Sequence, residues 1–317
     1  MNFSLNQLYQ AVGVSKQAYH QRMDRQISQR SQEHQLLHLV YQIRQDHPTM
    51  GCRDIYYKIQ PDFMGRDKFE AFCKAHGLSS KKPVNYRRTT DSSGVIRFVD
   101  ITIGLELTGI NQVWVSDITY FQVGDKFCYL TFITDSFSRR ILGYSVSRRL
   151  FTDQTTLPAL QMAIKARSGM NIQGTIFHSD GGGQYYQHEF LKLTARYNLR
   201  NSMCEYPWDN GKAERINGVI KNNYLAHRDI KSYEHLVEEV ARTVRLYNEE
   251  KPHIRLKRLM PIEFEKLYLH NREMSDGEKS TTECNAHQSR VENCPGAVGE
   301  MSSSSNITQE YNLMFNP

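Results

Sequence analysis

The stretch QVWVSDITYFQV, residues 112–123, decides the fold of this chain. It is rich in β-branched and aromatic side chains, which favour a strand. Two runs of the same kind follow, KFCYLTFITDSF at 126–137 and RRILGYSVSRR at 139–149. Gly124-Asp125 and Ser138-Arg139 mark the breaks between them. The pattern therefore predicts three successive strands.

Helical and strand patterns alternate after these three runs. The order β-β-β-α-β-α-β-α predicts an α/β fold, a mixed five-stranded sheet with flanking helices. Periodicity does not give the order of the strands within the sheet. The stretches that carry the prediction are a helix at 152–167 capped near Thr152 or Asp153, a strand at 174–180, a helix at 188–198, a possible fifth strand at 200–204, and helices at 211–225 and 233–250.

The N-terminal 90 residues are predicted to be helical and carry a net charge of +7. Ser4 caps a first helix, Gly13 makes a turn and Ser15 starts a second helix, which is the helix-turn-helix pattern. A longer helix follows around residues 36–43, and then a pair of short helices. Helix pairs of this size also serve as packing or dimerisation modules, but the charge favours DNA binding. Candidate DNA contacts here are Arg66 and Lys68.

Length and composition restrict the class of protein. The chain has 317 residues, of which 39% are hydrophobic and 23% charged, typical of a globular protein without membrane spans. No apolar run approaches the ~18 residues that a bilayer requires. The six cysteines include no CxxC pair, and the sequence shows no secretory signal. We therefore expect free thiols in a protein of the reducing cytoplasm.

The same patterns divide the chain into four regions. We expect a helical DNA-binding region at 1–90, a basic linker at 91–105 and a catalytic core at 106–269. Residues 270–317 carry a net charge of −4, include four consecutive serines and show no sustained period, so a disordered tail is expected.

Three carboxylates lie within or at the ends of predicted strands and helices. Asp117 lies inside the first strand, Asp180 follows the strand IFHS and begins DGGGQY, and Glu214 lies in the first turn of a helix. Carboxylates brought together from separate elements repel one another unless a cation joins them, and Mg²⁺ prefers such hard oxygen ligands. Two ions about 3.5–4 Å apart support phosphoryl transfer. The acids are therefore predicted to hold two Mg²⁺ ions, with Mn²⁺ as the expected substitute.

Each of these residues also has an ordinary structural interpretation. Asp180 could belong to a plain turn, Glu214 could simply stabilise a helix N-terminus, and Lys221, two turns further along that helix, could be a solvated lysine rather than a phosphate contact. A hydrogen-bonded structural role is the preferred interpretation of His178. Rival acids are Asp135, Glu189, Glu205 and Asp209.

Five stretches, in this order, resemble insertion-sequence transposases of the DDE/retroviral-integrase superfamily: VWVSDITY, YLTFITDSFSRRILGYSVS, HSDGGGQY, SMCEYPWDNGKAERINGVIK and YNEEKPHIRLKRLMPIEF. The best match is the OrfB-type catalytic protein of two-frame bacterial elements. The resemblance implies an RNase H-like core whose catalytic, metal-binding triad is Asp117, Asp180 and Glu214. It also implies DNA contacts near the triad, for which the candidates are Lys221, Arg215, Asn210 and Trp208. The spacing departs from the family, because only 33 residues separate Asp180 and Glu214, two fewer than usual.

The resemblance implies a DNA transposase that cuts element ends and transfers the strands. Its expected partners are terminal inverted repeats, target DNA and an upstream-frame helix-turn-helix and coiled-coil protein, in a multimer assembled on DNA. The expected location is the bacterial cytoplasm, at the nucleoid when bound to DNA. An RNase H-like nuclease and an inactive DNA-binding regulator are the alternatives.

Overall fold

The structure is a computed structural model that describes residues 4–79, 98–204 and 210–288, with side chains up to residue 274. The chain divides into two compact units, Met1–Leu267 and Tyr268–Pro317. Among the described residues, no helix combines the length and the apolar composition needed to cross a membrane. The predicted boundaries at 90, 105 and 269 stay predictions.

A single mixed sheet of five strands forms the centre of the first unit, as the sequence predicts. The order across the sheet is β3-β2-β1-β4-β5. The first three strands are antiparallel neighbours, whereas β4 and β5 run parallel to β1. The strands are β1 Val113–Val123, β2 Lys126–Asp135, β3 Ile141–Ser147, β4 Ile176–Ser179 and β5 Arg200–Met203.

Helices cover both faces of the sheet. On one face α5 and α6 enclose an apolar core that includes Trp114, Leu160 and Phe177. On the other face α8 and α7, the latter through its own Ile220, pack over Phe132 of the sheet. The helices are α5 Thr156–Ala166, α6 His188–Arg196, α7 Gly211–Asn223, α8 Tyr233–Glu249 and α9 Pro261–Gln288.

The start of α5 differs from the sequence prediction. The helix begins after Thr155, not after Thr152 or Asp153. The Thr152 hydroxyl donates to the carbonyl of Gln184 at 3.2 Å, which ties this residue to the β4–α6 connection. The helix therefore begins a few residues later than the predicted capping signal, and that prediction was wrong.

The N-terminal region is helical, with both predicted serine caps in place. Ser4 forms a reciprocal capping box with Gln7, Gly13 adopts a φ of 69°, and Ser15 caps the second helix. The second helix is longer than expected, because 16–46 is one continuous helix without an internal Gly or Pro. The helices are α1 Leu5–Val12, α2 Lys16–Asp46, α3 Cys52–Ile59 and α4 Arg66–Ala75.

Polar contacts, one buried and one exposed, attach this helical region to the sheet domain. The His47 ring lies 3.0 Å from the Tyr224 hydroxyl, which is carried by the segment after α7. Lys58 forms an ion pair with Glu250 at 3.0 Å. Burial, and secondarily Lys58, lowers the pKa of His47 to about 4, so this contact uses the neutral imidazole.

The end of α9 reaches the stretch where disorder was expected. α9 extends to Gln288, and residues 289–317 lie outside the described part of the chain. The disordered tail therefore stays a prediction for those residues.

A buried ionic cluster fixes the start of α9 against the sheet. The guanidinium of Arg167, with a fully buried side chain, donates to both oxygens of Glu265 at 2.5 and 2.7 Å. Glu265 also accepts from Ser138 at 2.5 Å and Arg140 at 2.7 Å. Asp135 lies 3.5 Å from Arg167 and accepts from three backbone amides. This rival acid is therefore structural.

Helix α5 approaches the sheet closely at Gly143 of β3. A Cβ at this position would lie 2.1 Å from the Ala159 carbonyl oxygen and 2.7 Å from the Ala163 nitrogen, both on α5. We expect Gly143→Ala to reduce the free energy of unfolding by about 1–3 kcal/mol, because backbone atoms must move apart. Urea unfolding followed by circular dichroism measures it.

Gly218 provides the matched control for this prediction. It lies inside α7, and a Cβ at this position would have the flexible Asn222 side-chain amide as its nearest neighbour, at 3.9 Å. Gly218→Ala should therefore stabilise the protein by about 0.5–1 kcal/mol through helix propensity. Equal stabilities for the two variants would contradict the close packing of β3 on α5.

The Arg167–Glu265 pair gives a second prediction. Glu265→Gln leaves the buried guanidinium of Arg167 without full charge compensation, so it should cost about 3–5 kcal/mol in the same unfolding assay. The control is Glu234→Gln, which breaks an exposed pair with Arg148 at 2.9 Å and should cost less than about 1 kcal/mol. A small effect at Glu265 would contradict the structural role of the cluster.

Candidate active site

The pairing of β1 with β4 brings two of the predicted acids together. These strands are parallel, with Val115 opposite His178. Asp117 and Asp180 each stand two residues further along, so the register places them side by side at one edge of the sheet. Glu214 lies in the first turn of α7, which packs against β1. The fold thus directs all three acids to one region.

The carboxylates interact through their charges. Burial raises the pKa of Asp117 to about 7, and the neighbouring charges of Asp180 and Glu214 act in the same direction. The pKa of Asp180 is raised first by burial and also by Glu214, against the effect of hydrogen bonds from Gly182 and Asp117. The charges of Asp180 and Glu214 therefore oppose the ionisation of Asp117, and the charge of Glu214 opposes that of Asp180.

Backbone geometry shapes the loop that carries Asp180. Gly181 has a φ of 83°, and a Cβ there would lie 2.1 Å from the terminal methyl of Met203. The amide of Gly182 donates to the Asp180 carboxylate at 3.2 Å. Glycine at these two positions lets the loop turn tightly, so that the Gly182 amide reaches the Asp180 carboxylate.

Two polar residues that the sequence did not single out, Asn217 and Tyr185, hold β1 at the site. Asn217 Nδ2 donates to Asp117 Oδ2 at 2.8 Å. The Tyr185 hydroxyl lies 2.9 Å from Ser116 Oγ, next to Asp117. The signal for Asn217 is its spacing of three residues from Glu214, which places both on one face of α7. Tyr185 gave no such signal.

The part of the sheet edge that carries Asp117 and Asp180, with Glu214 on α7 beside it, is called the acidic edge below. Lys221 lies close to it. Its Nζ donates to Thr119 Oγ1 at 3.0 Å and lies 4.7 Å from the centre of the Tyr120 ring. Burial lowers its pKa, while Asp117 opposes that shift. Lys221, the predicted basic residue, is therefore held against β1 at Thr119, two residues after Asp117.

The other predicted DNA contacts occupy different environments. Arg215 is exposed on α7. Asn210 is almost completely buried and donates to the Ser116 carbonyl at 2.9 Å, so here it holds β1 rather than presenting its side chain to DNA. Arg66 and Lys68 are exposed on α4, where Arg66 pairs with its neighbour Asp67. Trp208 lies outside the described residues.

His178 and Glu189, the remaining predicted residues that the structure describes, have other contacts. His178 is buried and hydrogen-bonds Ser202 at 3.0 Å, in agreement with the structural interpretation. Glu189 is exposed on α6 beside His188. Glu205 and Asp209 lie outside the described residues.

The acidic edge has the donor chemistry for a hard divalent cation. Within the described part of the chain, no three His, Cys, Asp or Glu side chains already meet in metal-binding geometry. However, the carboxylates of Asp117 and Asp180 lie in contact, half-buried, with destabilised charges. A cation would relieve that repulsion, and oxygen donors of this kind suit Mg²⁺. The residues present therefore fit the metal chemically.

Comparison with known proteins gives matches to two family models, to proteins of insertion elements and to a solved catalytic core. Two models of the integrase core domain match residues 108–206 and 196–261. The uncharacterized 31 kDa protein of insertion element IS600 from Shigella sonnei is 28% identical, over 82% of this chain and 97% of its own. The transposase InsF of insertion sequence IS3A from Escherichia coli is 40% identical, over 30% of this chain and 32% of its own. The HTLV-2 integrase catalytic core domain, solved in complex with magnesium, overlaps 49% of this chain and 97% of its own, with a TM-score of 0.40 and 19% identity.

The mixed sheet with flanking helices and the matched core models define an RNase H-like integrase core preceded by a helical region. The relatives are proteins of insertion elements. The chain carries an integrase core domain and resembles insertion-sequence transposases of the DDE/integrase superfamily.

The repulsion between the acids predicts a gain in stability when one charge is removed. The pKa of Asp117 is 3.8 in an ordinary setting and about 7 here. The folded state therefore binds this proton more tightly, and stability falls as the pH rises across that window. In EDTA at pH 8, Asp117→Asn should raise the free energy of unfolding by more than about 1 kcal/mol, since one pKa unit is worth about 1.4 kcal/mol.

The pH dependence and an exposed acid supply the controls. The advantage of Asp117→Asn should shrink towards pH 4, where the wild-type carboxyl is protonated. Asp125→Asn, at the exposed β1–β2 turn, should not change stability measurably. An Asp117→Asn protein that is less stable at pH 8 would mean that the acids do not repel.

Proposed function

We propose that this chain is a DNA transposase that performs metal-dependent strand cleavage and strand transfer at insertion-sequence ends. The observation that carries the proposal is the contact between Asp117 and Asp180 across two parallel strands, with Glu214 acting on both. The integrase-core matches and the insertion-element relatives support the same reaction class.

Asp117, Asp180 and Glu214 are the residues proposed to hold Mg²⁺. When bound, two such ions supply charge stabilisation for the attacking and leaving oxygens of an in-line phosphoryl transfer. The protein contributes positioning. Asn217 holds the Asp117 carboxylate at 2.8 Å, and the Gly182 amide holds that of Asp180 at 3.2 Å. Preset ligands reduce the reorganisation that the reaction would otherwise require.

Lys221 is proposed to bind a phosphate of the DNA next to the scissile bond. Its ammonium is fixed by Thr119 and the Tyr120 ring, so it projects along β1 from a defined place. A lysine that is partly desolvated interacts more strongly with a phosphate than one in open water. This role accounts for the position of the Lys221 ammonium close to the acidic edge, and it does not require Lys221 to transfer a proton.

We further propose that the chain acts as the OrfB-type protein of a two-frame element. Its substrates would be the terminal inverted repeats and the target DNA. The helical region at 4–79 would contribute to site recognition, with Arg66 and Lys68 as exposed candidates. The upstream-frame protein and multimer assembly on DNA belong to the same proposal.

The test is an end-cleavage and strand-transfer assay on DNA that carries the repeats flanking the gene. With Mg²⁺, the wild-type protein should nick the ends specifically and join them to a target. Asp117→Asn and Glu214→Gln should each reduce cleavage by at least about 10³-fold, because loss of one charged ligand removes several kcal/mol of transition-state stabilisation. Binding to the ends should remain within a few-fold of wild type.

Glu189→Gln serves as the matched acid control, because this exposed residue lies on α6 away from the acidic edge. It should cleave as the wild type does. Indiscriminate hydrolysis without joining would favour a nuclease, and binding without any cleavage would favour a regulator. Metal-dependent cleavage by Asp117→Asn would refute the assignment of the triad.

A further inference from the structure

The hairpin of β1 and β2 carries three aromatic side chains on one face. Tyr120 lies directly opposite Tyr129 in the antiparallel pairing, and Phe127 stands two residues before Tyr129 on β2. Side chains that lie opposite each other, or two residues apart on one strand, point to the same face of a sheet. The rings of Tyr120 and Phe127 meet edge to face, with their centres 5.4 Å apart. These three residues are called the aromatic face below.

The described helices leave much of the aromatic face exposed. Trp114 and Thr131 point to the same side of the sheet, and both are fully buried. Further along the hairpin, 39% of Tyr120 and 53% of Phe127 is exposed, and Tyr129 is half-buried. Within the parts of the chain that the structure describes, the helical cover of this side of the sheet therefore ends where the aromatic face begins.

The edge of β1 next to the aromatic face is open. β4 pairs with β1 only at residues 113–115, whereas the pairing of β1 with β2 continues to Val123. Among the described residues, no strand adds to the other side of β1 from Asp117 onwards. Tyr120 follows Asp117 by three residues, which is roughly 10 Å along a strand. A polymer bound at the acidic edge can therefore continue along β1 to the aromatic face.

A cation lies beside the aromatic face. Lys221 Nζ is 4.7 Å from the centre of the Tyr120 ring and 3.0 Å from Thr119 Oγ1. A positive charge next to exposed rings is the combination that binds single-stranded nucleic acid, since the cation takes a phosphate and the rings take bases. An apolar protein partner fits less well, because it would remove water from the Lys221 ammonium without offering an opposite charge.

The core of the protein holds the opposite face of the hairpin. Phe121 and Val123 pack there against the apolar cluster under α7 and α8, to which Cys128 belongs. The turn between the strands has two residues, with Gly124 at a φ of 57°. Gln122 Nε2 donates to the Gly124 carbonyl at 3.0 Å. The aromatic face is thus presented on a fixed support, which reduces the ordering cost of binding.

We infer that the aromatic face stacks on an unpaired base of the DNA strand that passes the acidic edge. The inference rests on the proposed function and extends it to three residues that the sequence did not single out. Bases within a duplex are stacked on one another, so a protein ring reaches the face of a base only where the strand is unpaired. Every base has such a face, and stacking of this kind requires no particular sequence.

The test compares a fluorescein-labelled single-stranded oligonucleotide of arbitrary sequence with its duplex, by anisotropy in EDTA so that no strand is cut. The double variant Tyr120→Leu, Phe127→Leu keeps apolar side chains but loses both exposed rings. It should bind the single strand about 5–100-fold more weakly than the wild type does, the range expected for stacking on one base. Its affinity for the duplex should stay within about twofold of the wild type, because a duplex offers no free base face.

A second measurement reports the stacking itself. With 2-aminopurine in the single strand, binding by the wild type should quench the fluorescence of this base, because stacking on an aromatic ring quenches it. The double variant at saturating concentration should leave the fluorescence unquenched. Unchanged affinity for the single strand, or quenching retained in the double variant, would overturn the inference.

The matched control removes one tyrosine and one phenylalanine ring from the helical region, Tyr41→Leu and Phe63→Leu. These rings are exposed to a similar extent, 49% and 41%. The control should keep the wild-type affinity for the single strand to within about twofold, and it should keep the quenching. A loss as large as that of the hairpin variant would show that exposed rings in general, and not the aromatic face, determine the binding.

Thermal melting separates a binding role from a structural one. Both substituted rings are exposed, so the double variant should melt within a few degrees of the wild type. If it melts much lower, Phe127→Leu alone decides, because this ring is the more exposed of the two. The single variant should still weaken single-strand binding several-fold, and wild-type affinity in it would overturn the inference.

Size-exclusion chromatography tests the other occupant, a second copy of the chain. A wild-type dimer that the double variant converts to a monomer, with single-strand affinity unchanged, would assign the aromatic face to that copy and overturn the inference. The outcome does not depend on catalysis, because the binding is measured in EDTA. Failure of the wild type to cut element ends with Mg²⁺ would reject the proposed function, whereas only the binding and quenching results reject the stacking.

Discussion

The parallel pairing of β1 with β4 is the constraint on which the rest of the site depends. It places Asp117 and Asp180, which are separated by 62 residues in the sequence, next to each other at one edge of the sheet. Hydrogen bonding within the sheet fixes this register, so the repulsion between the acids cannot be relieved by separating the strands. The packing of α7 on β1 then adds Glu214 and Asn217 to the same edge.

Buried charges occur in two kinds of environment in this protein, one with paired opposite charges and one with like charges close together. Around Arg167 every charge has a partner, because Glu265 and Asp135 surround the guanidinium. At the acidic edge, like charges are held together with few compensating contacts. Structural ionic groups gain from complete pairing, whereas groups that await a charged ligand remain destabilised until it binds.

Local sequence signals predicted most of the secondary structure, because they depend on neighbouring residues only. The caps at Ser4 and Ser15 and the turn at Gly13 need a few adjacent positions, and all three are confirmed. The later start of α5 was missed since Thr152 contacts Gln184, a residue distant in the sequence. Tyr185 was missed for the same reason, because its partner Ser116 lies on another element.

The sequence by itself determined the class of fold, the three candidate acids and the resemblance to a family, because hydrophobic alternation, glycine positions and ordered motifs can be read along the chain. Only the tertiary structure decided the strand order, the contact between Asp117 and Asp180, and the burial of Asn210. These features depend on which distant segments share a surface, and free energies of packing and charge interaction between such segments have no local signature in the sequence.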